Sequence, residues 1–472
     1  MREAGADYFE QRKLRRHARV LHLWALGVAA VISGDFFGWN YGLASGFWAM
    51  LAALAIMTVM YAGLCFSIAE MSPALPHTGG AYSFARTSMG PWAGYVTGLA
   101  ENMEYILTPA TIVVGIGGYL GAIFSTPKSM EPLWWIASYA VFVALNVYGV
   151  ELSFRFSIAI AMLALAALAV FWIGAIPYLD FHRWALDVPW HGWKGVLTAL
   201  PFALWFYLAI EQLPLAAEES HDPKRDMPKG ILYGLLTLIA CSFLTLYVSA
   251  SIAPGAAKVA ESQEPLFVGY QTIFGSTLKF LPTAKILSGI ACIGLIASFH
   301  TIIFAYGRQI YSLSRAGYFP PWLSVTHAKH ETPVRALIAG SALGLAAAMA
   351  ISISGQKGAV GAVLLNMAVF GAVIAYILQM ASFIMLRLRF PKIDRPYVSP
   401  LGITGAAVAA AIAGVTLVTL FLNPDYNRSV SGAAIWFFAG IAYFAFYARR
   451  RLILSPEEEF AMLHTNVSHR NK

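Results

Sequence analysis

Twelve apolar stretches, each about as long as the 20 residues a helix needs to cross a hydrocarbon core of about 30 Å, constrain this chain more than any other feature. They cover 21–46, 48–70, 91–121, 132–150, 155–178 and 195–217 in the first half, and 230–253, 285–313, 334–353, 361–388, 400–422 and 431–449 in the second. They take up most of the 472 residues, of which 58% are hydrophobic and only 12% charged. A soluble domain carries about 25% charged residues. Most of this surface must therefore face lipid, and an ordinary soluble enzyme is excluded.

The placement of charge predicts the orientation. If both ends are cytoplasmic, 24 of the 32 Lys and Arg residues belong to that side and 8 to the other, the bias expected of cytoplasmic loops. The clusters are RKLRR near the start, HDPKRDMPKG after the sixth stretch, RLRFPKIDRP after the tenth, and Arg449, Arg450 and Arg451. Topology thus accounts for the net charge of +8, and no nucleic-acid partner is expected. Cys65, Cys241 and Cys292 each lie inside an apolar run, which predicts neither a disulfide framework nor a metal site. The first twenty residues are too long and too charged for a cleaved signal peptide, so the first apolar run should stay in the mature protein. No nucleophile motif, metal-ligand set or phosphate loop stands out, so neither enzymatic activity nor a cofactor is expected. The chain reads as a multi-pass protein of the cytoplasmic (inner) membrane, monomeric or homodimeric.

Two stretches are interrupted. In the first, LWALGVAAVI runs into Ser33-Gly34-Asp35-Phe36-Phe37-Gly38-Trp39-Asn40, which puts a carboxylate and an asparagine near mid-bilayer. In the sixth, Glu211 and Pro214 interrupt PFALWFYLAIEQLPLAAEE. If stretches one to five and six to ten are repeats, the odd number inverts the second copy, and paired interruptions mark a transporter binding site. The alternative is that Gly34 and Pro214 only kink two unrelated helices, as membrane helices tolerate.

The stretch from Ser67 through Glu70, Pro73, Pro76, Gly79, Gly80 and Tyr82 to Arg86 resembles the loop after the second helix of the amino acid/polyamine/organocation (APC) transporter superfamily. The block Glu218-Glu219-Ser-His-Asp222-Pro223-Lys224-Arg225-Asp226-Met-Pro228 resembles its segment after helix six. Arg308-Gln-Ile-Tyr311-Ser-Leu-Ser-Arg315-Ala-Gly317-Tyr-Phe-Pro320 is similar to its close of helix eight. The resemblance implies an all-α fold of twelve transmembrane helices with a LeuT-like five-plus-five inverted repeat, helices one and six being unwound around a central site. It divides the chain into a cytoplasmic segment 1–20, a transport core 21–388 with repeats 21–178 and 195–388, two further helices within 400–449, and a cytoplasmic tail 450–472.

Amino acid carriers of the superfamily have a Gly-Ser-Gly-Ile-Phe type of sequence at the first break, whose amides can seat a substrate carboxylate. Here the same place reads Ile32-Ser33-Gly34-Asp35-Phe36. A protein carboxylate standing there would compete with the substrate's own, so the expected guest keeps an ammonium group and lacks a carboxylate. This block, with Gly98-Leu-Ala-Glu101-Asn102-Met-Glu104-Tyr105, resembles the ethanolamine permeases.

Asp35 is therefore the first candidate ligand for a small cationic amine, because an ionisable residue inside an apolar helix marks a functional site. Glu101 and Glu104, three apart on helix three, share one face; the resemblance puts Glu104 on the site wall and Glu101 toward the outer gate. No Lys or Arg is expected in the interior of any span to neutralise them. Trp205 matches the helix-six aromatic that covers substrate and gates the site, and its ring face attracts ammonium. Ser33 and Gly34 flank Asp35 in the first break, and Phe206, Tyr207 and Ala209 belong to the stretch that should supply free carbonyls. Glu211 is expected to gate by tying the outer half-helix to helix three or ten. Asn40, Asn102, Ser298, His300 and Tyr376 are weaker candidates, each able simply to bond a neighbouring helix. The coupling ion is left open between proton and sodium, since Ser157 to Leu165 lacks the helix-five lysine of several proton-coupled relatives. The expected function is uptake of ethanolamine or a close relative; the alternatives are an amino acid or polyamine symporter or antiporter and, further off, a transporter-like receptor.

Overall fold

Every apolar stretch is helical in the computed structural model, which describes residues 8, 11–12, 14–75, 77, 79–262, 264–275, 283–353 and 360–453. The spanning helices are α1a (Val20–Val31), α2 (Phe47–Ala74), α3 (Pro91–Phe124), α4 (Glu131–Val147), α5 (Val150–Ala175) and α6a (Gly192–Ala203). They continue as α7 (Pro223–Ala250), α8 (Thr283–Arg315), α9 (Val334–Ile353), α10 (Val360–Arg389), α11 (Gly402–Leu422) and α12 (Asn427–Phe446). Helix one continues past its break as α1b, a single turn Ser33–Phe36 followed by 3-10 turns Asn40–Ser45. Helix six continues as α6b, a 3-10 stretch Ile210–Glu219. Ten of these elements are long and apolar enough to cross a bilayer, and two shorter apolar helices, Val20–Phe36 and Val334–Ala350, bring the set to the expected twelve. Most of the expected tail, from 454 on, and parts of the 1–20 segment lie outside the described residues.

The packing follows the five-plus-five plan. Helix α2 packs on α7 and α3 on α8, so each of these helices touches its counterpart in the other half. Likewise α1a packs on α7 as α6a packs on α2, and α3 packs on α10 as α8 packs on α5. Helices α11 and α12 lie outside this core, α11 against α2 and α10 and α12 against α10 and α3. Their outer faces stay apolar and uncovered, Phe438 at 80% and Leu422 at 75% exposure, which suits lipid contact. This is an all-α bundle on the LeuT-like plan.

The face of the bundle that carries the amino-terminal segment is laced with charge. Arg308 bonds Glu219 at 2.8 Å with both side chains fully buried, Arg315 bonds Glu218 at 3.0 Å, and Glu70 holds Arg387 at 2.5 Å and Arg395 at 3.1 Å. The amides of His17 and Ala18 donate to the Glu219 carbonyl at 2.7 and 2.8 Å, which docks the incoming chain on the end of α6b. Arg308 corrects one expectation: a basic residue does lie within a span, buried in α8. It is paired with Glu219 near the end of the helix.

Candidate functional site

The first break forms where the sequence removes bulk. At the first, the Ser298 hydroxyl of α8 accepts the Ser33 amide at 3.0 Å and donates to the Ala29 carbonyl at 2.9 Å, completing the interrupted turn from outside. Ser298 is thus engaged with helix one itself. Gly34 lies against the backbone of helix six, where a methyl group would overlap the Trp205 carbonyl oxygen. Gly38 adopts a φ of 93°, open to glycine, and lies under the Trp205 indole, 3.2 Å from where a β-carbon would stand. The two breaks therefore meet backbone to backbone.

The helix-six break falls at Tyr207–Ala209, five residues before the Pro214 that signalled it. Pro214 lies inside α6b, where it cannot donate a backbone bond, and that helix runs as a ten-residue 3-10 stretch. Ala209 takes a left-handed φ of 81°, strained for a residue with a β-carbon, and is fully packed in. Two of the carbonyls expected to be free are in use: Tyr207 and Ala209 accept the amides of Ile210 and Gln212, each at 3.3 Å.

Asp35 is 1% exposed, and neither carboxylate oxygen has a hydrogen-bond partner among the described residues. The Thr245 hydroxyl of α7 faces it and is also without a direct bond. Tyr207 and Cys241 lie within reach of its charge. The Tyr207 hydroxyl is held between Thr58 of α2 at 2.7 Å and Ser242 of α7 at 2.9 Å. Trp39 donates to the Asp35 main-chain carbonyl at 3.3 Å and stacks on Phe206 with centroids 5.1 Å apart. Trp205 packs on Phe37 at 5.8 Å, and its indole N–H has no acceptor. A buried carboxylate with no donor is costly unless a proton or a cation joins it.

The glutamates form a second group. Glu211, the second residue of α6b, accepts from Tyr105 of α3 at 3.2 Å and from Tyr376 of α10 at 3.0 Å. The same Tyr376 hydroxyl lies 3.4 Å from Glu104 and accepts from Tyr61 of α2 at 3.1 Å. Glu104 and Glu211 thus lie on either side of one hydroxyl, that of Tyr376. Glu101 accepts from Gln309 of α8 at 2.6 Å and is met by the amides of Ala81 and Tyr82, at the start of the short helix Gly80–Met89. That short helix follows α2 directly, so Glu101 lies on the amino-terminal side of Glu104, which, with both termini cytoplasmic as expected, is not the side of the outer gate. Glu211 is corrected in the same sense. It bonds helices three and ten as expected, yet it belongs to the half of helix six that ends at the amino-terminal face. The chain leaves α1 at the opposite face, so helix six enters the bundle there and its second half points back.

All the expected contact residues are buried, but they make two subsites. Ser33, Gly34, Asp35, Trp205, Phe206, Tyr207 and Ala209 surround the breaks, whereas Glu101, Glu104 and Glu211 cluster with the tyrosines. The two groups touch where the Tyr61 and Tyr207 rings meet, centroids 5.1 Å apart.

The weaker candidates separate as well. Asn40 pins the α7 to α8 connection, donating to the Val259 and Ser262 carbonyls at 2.8 and 2.9 Å, and is structural. His300 is held by Asn146 of α4 and Ser153 of α5 at 3.3 and 3.1 Å, away from both subsites. Asn102 bonds back to Gly98 within α3 at 2.8 Å and lines an apolar groove of about 570 Å³ against α12. Tyr376 alone moves to the centre. Sequence reasoning missed Tyr61, Thr245 and Gln309. Gln309 and Tyr105 did stand in the motif blocks, beside residues that drew attention by their charge, but a tyrosine or threonine in an apolar run carries no signal of its own.

A family model described as amino acid permease matches residues 21–446. The chain is 28% identical to an uncharacterized transporter of Rhizobium meliloti, covering 96% of each chain. It is 26% identical to the branched-chain amino acid permease BcaP of Bacillus subtilis, over 93% of this chain and 94% of that one. It is 25% identical to the methylthioribose transporter of the same organism, over 94% and 96%. With twelve apolar helices, two of them broken and meeting at a buried polar site, the chain belongs to the amino acid permease family of the APC superfamily and is a multi-pass membrane transporter.

Proposed function

We propose that this permease imports ethanolamine or a closely related small primary amine across the cytoplasmic membrane by alternating access, with both termini cytoplasmic. The observation that carries this is Asp35: a buried carboxylate at the crossing of the two breaks, both oxygens lacking a donor. An ammonium group brings the donors and the charge that Asp35 lacks, and a substrate carboxylate would meet an anion in its place. Tyr207 and Thr245 flank the guest, Ser33 and Gly34 shape the first break around it, and the Trp205 indole closes over it. Glu211 holds α6b to α3 and α10 and acts in gating.

The separation of Asp35 from the glutamates favours a second reading, a diamine whose two ammonium groups use one subsite each. Uptake into proteoliposomes, with unlabelled ethanolamine, putrescine and alanine as competitors, tests both. Ethanolamine is expected to compete best. Stronger competition by putrescine selects the diamine, and stronger competition by alanine overturns the amine reading altogether.

A further inference from the structure

The second acidic group has no role in seating a guest at Asp35, yet it is too elaborate to be incidental. Glu101, Glu104 and Glu211 are all at most 2% exposed, and among the described residues none of them is in an ion pair with Lys, Arg or His. Donors are too few. Tyr105 and Tyr376 both give their protons to Glu211, Tyr61 gives its own to Tyr376, and Gln309 donates to Glu101. That leaves Glu104 Oε2 with no partner, while Glu104 Oε1 shares the Tyr376 hydroxyl with Glu211, itself another acceptor. From a different helix, the Gln309 amide oxygen is also buried and unpartnered beside the cluster. Exchanging the amide's two ends does not help, because the group as a whole holds more acceptors than donors.

We infer that Glu104 and Glu211 form a proton-binding site, one proton shared between the two carboxyls, and that this proton is the coupling ion of the transport cycle. Two carboxylates that meet on one hydroxyl in a buried site repel; one proton between them converts repulsion into a short hydrogen bond. The bond runs from α3 to the first turn of α6b, just past the Tyr207–Ala209 break, and Tyr105 and Tyr376 reinforce it from α3 and α10. With the proton bound, α6b is latched and the amino-terminal face stays closed. Loss of the proton toward that face leaves two anions, and α6b is pushed off α3. The titratable groups facing the pair are Tyr61 and Cys65 from α2, Glu101 and Tyr105 from α3, and Tyr376 from α10, while α8 presents the neutral Gln309. Because the amine is loaded from the opposite face while the latch is shut, amine and proton enter together.

This inference rests on the reading of the chain as an amine importer, and the test separates the two. The purified full-length protein is placed in liposomes with a trapped pH dye, labelled ethanolamine is added outside, and protein-free liposomes give the leak. Amine entry accompanied by acidification above the leak is expected, with accumulation increased by an acid exterior at clamped voltage. Glu104→Gln and Glu211→Gln should each lose that gradient-driven accumulation. Amine entry by the wild-type protein without proton movement overturns the proton site and leaves the importer standing, and this measurement needs no variant to fold. Wild-type accumulation by either variant also overturns it, since the shared proton needs both carboxyls. If no labelled amine enters above the leak, it is the importer reading that fails.

Discussion

Asp35 and the Glu104/Glu211 pair are both buried acids on broken or break-adjacent helices, and they are built in opposite ways. Around Asp35 two neighbours have spent their hydrogen bonds elsewhere, Tyr207 on Thr58 and Ser242 and Trp39 on the Asp35 main chain, while the Thr245 hydroxyl is unengaged. Around Glu211 three tyrosines from α2, α3 and α10 converge in a chain of hydroxyls. A carboxylate with its oxygens left bare is arranged for something that comes and goes. One wrapped in fixed donors is arranged to hold helices together, with the balance of charge set by a single proton. The contrast separates the seat of a guest from a latch.

The largest break in that contrast is Asp35→Asn. Removing one partner of a buried, charge-assisted contact costs about 2 to 5 kcal/mol, roughly thirty- to several-thousand-fold in Kd. Calorimetric titration of ethanolamine should show saturable binding lost while size-exclusion behaviour stays that of wild type; unchanged affinity would remove Asp35 from the site. Gly34→Ala probes the contact between the breaks. The added methyl overlaps the Trp205 carbonyl, and overpacking of this kind costs about 1 to 3 kcal/mol, so a lowered thermal midpoint and slowed counterflow are expected. Wild-type values for both would mean that the two breaks separate easily. Smallest is Tyr207→Phe, which deletes a hydroxyl shared by α2 and α7 at a net cost of about 1 kcal/mol. It should weaken ethanolamine binding severalfold without altering the pH dependence of uptake. A shift of that dependence would mean that the two subsites act on each other through the Tyr61–Tyr207 ring contact.

Much of this was legible because bilayers leave few choices. Each backbone polar group in lipid must be satisfied internally, so an apolar run of sufficient length is a helix. The twelve runs became helices in the expected places. The first break was legible from Ser33-Gly34-Asp35, since two residues of poor helix propensity and a carboxylate fall together in an apolar run. The sixth was legible too, since the stretch from Phe206 to Ala209 was expected to unwind and the break falls at Tyr207–Ala209; what was misjudged is Pro214, which lies beyond the break in a helix that runs through it by adopting 3-10 geometry. Direction along helix six was also misjudged, which put Glu211 in the wrong half. Glu101 went to the wrong side for a related reason: spacing on a helix gives the face a residue shares, not the neighbour that waits there.

By itself the sequence determined the membrane class, the number of spans, the two interrupted helices and the set of acids kept inside, because these depend on hydrophobicity, charge and local backbone preference along the chain. Only the tertiary structure decided how those acids are grouped. Asp35 and Glu104 are both acids inside apolar helices, yet one faces α7 and is left bare while the other faces α6b and α10 and is shared. That division depends on which hydroxyls from α2, α7 and α10 reach each carboxylate, a matter of helix rotation and long-range packing that no local pattern encodes.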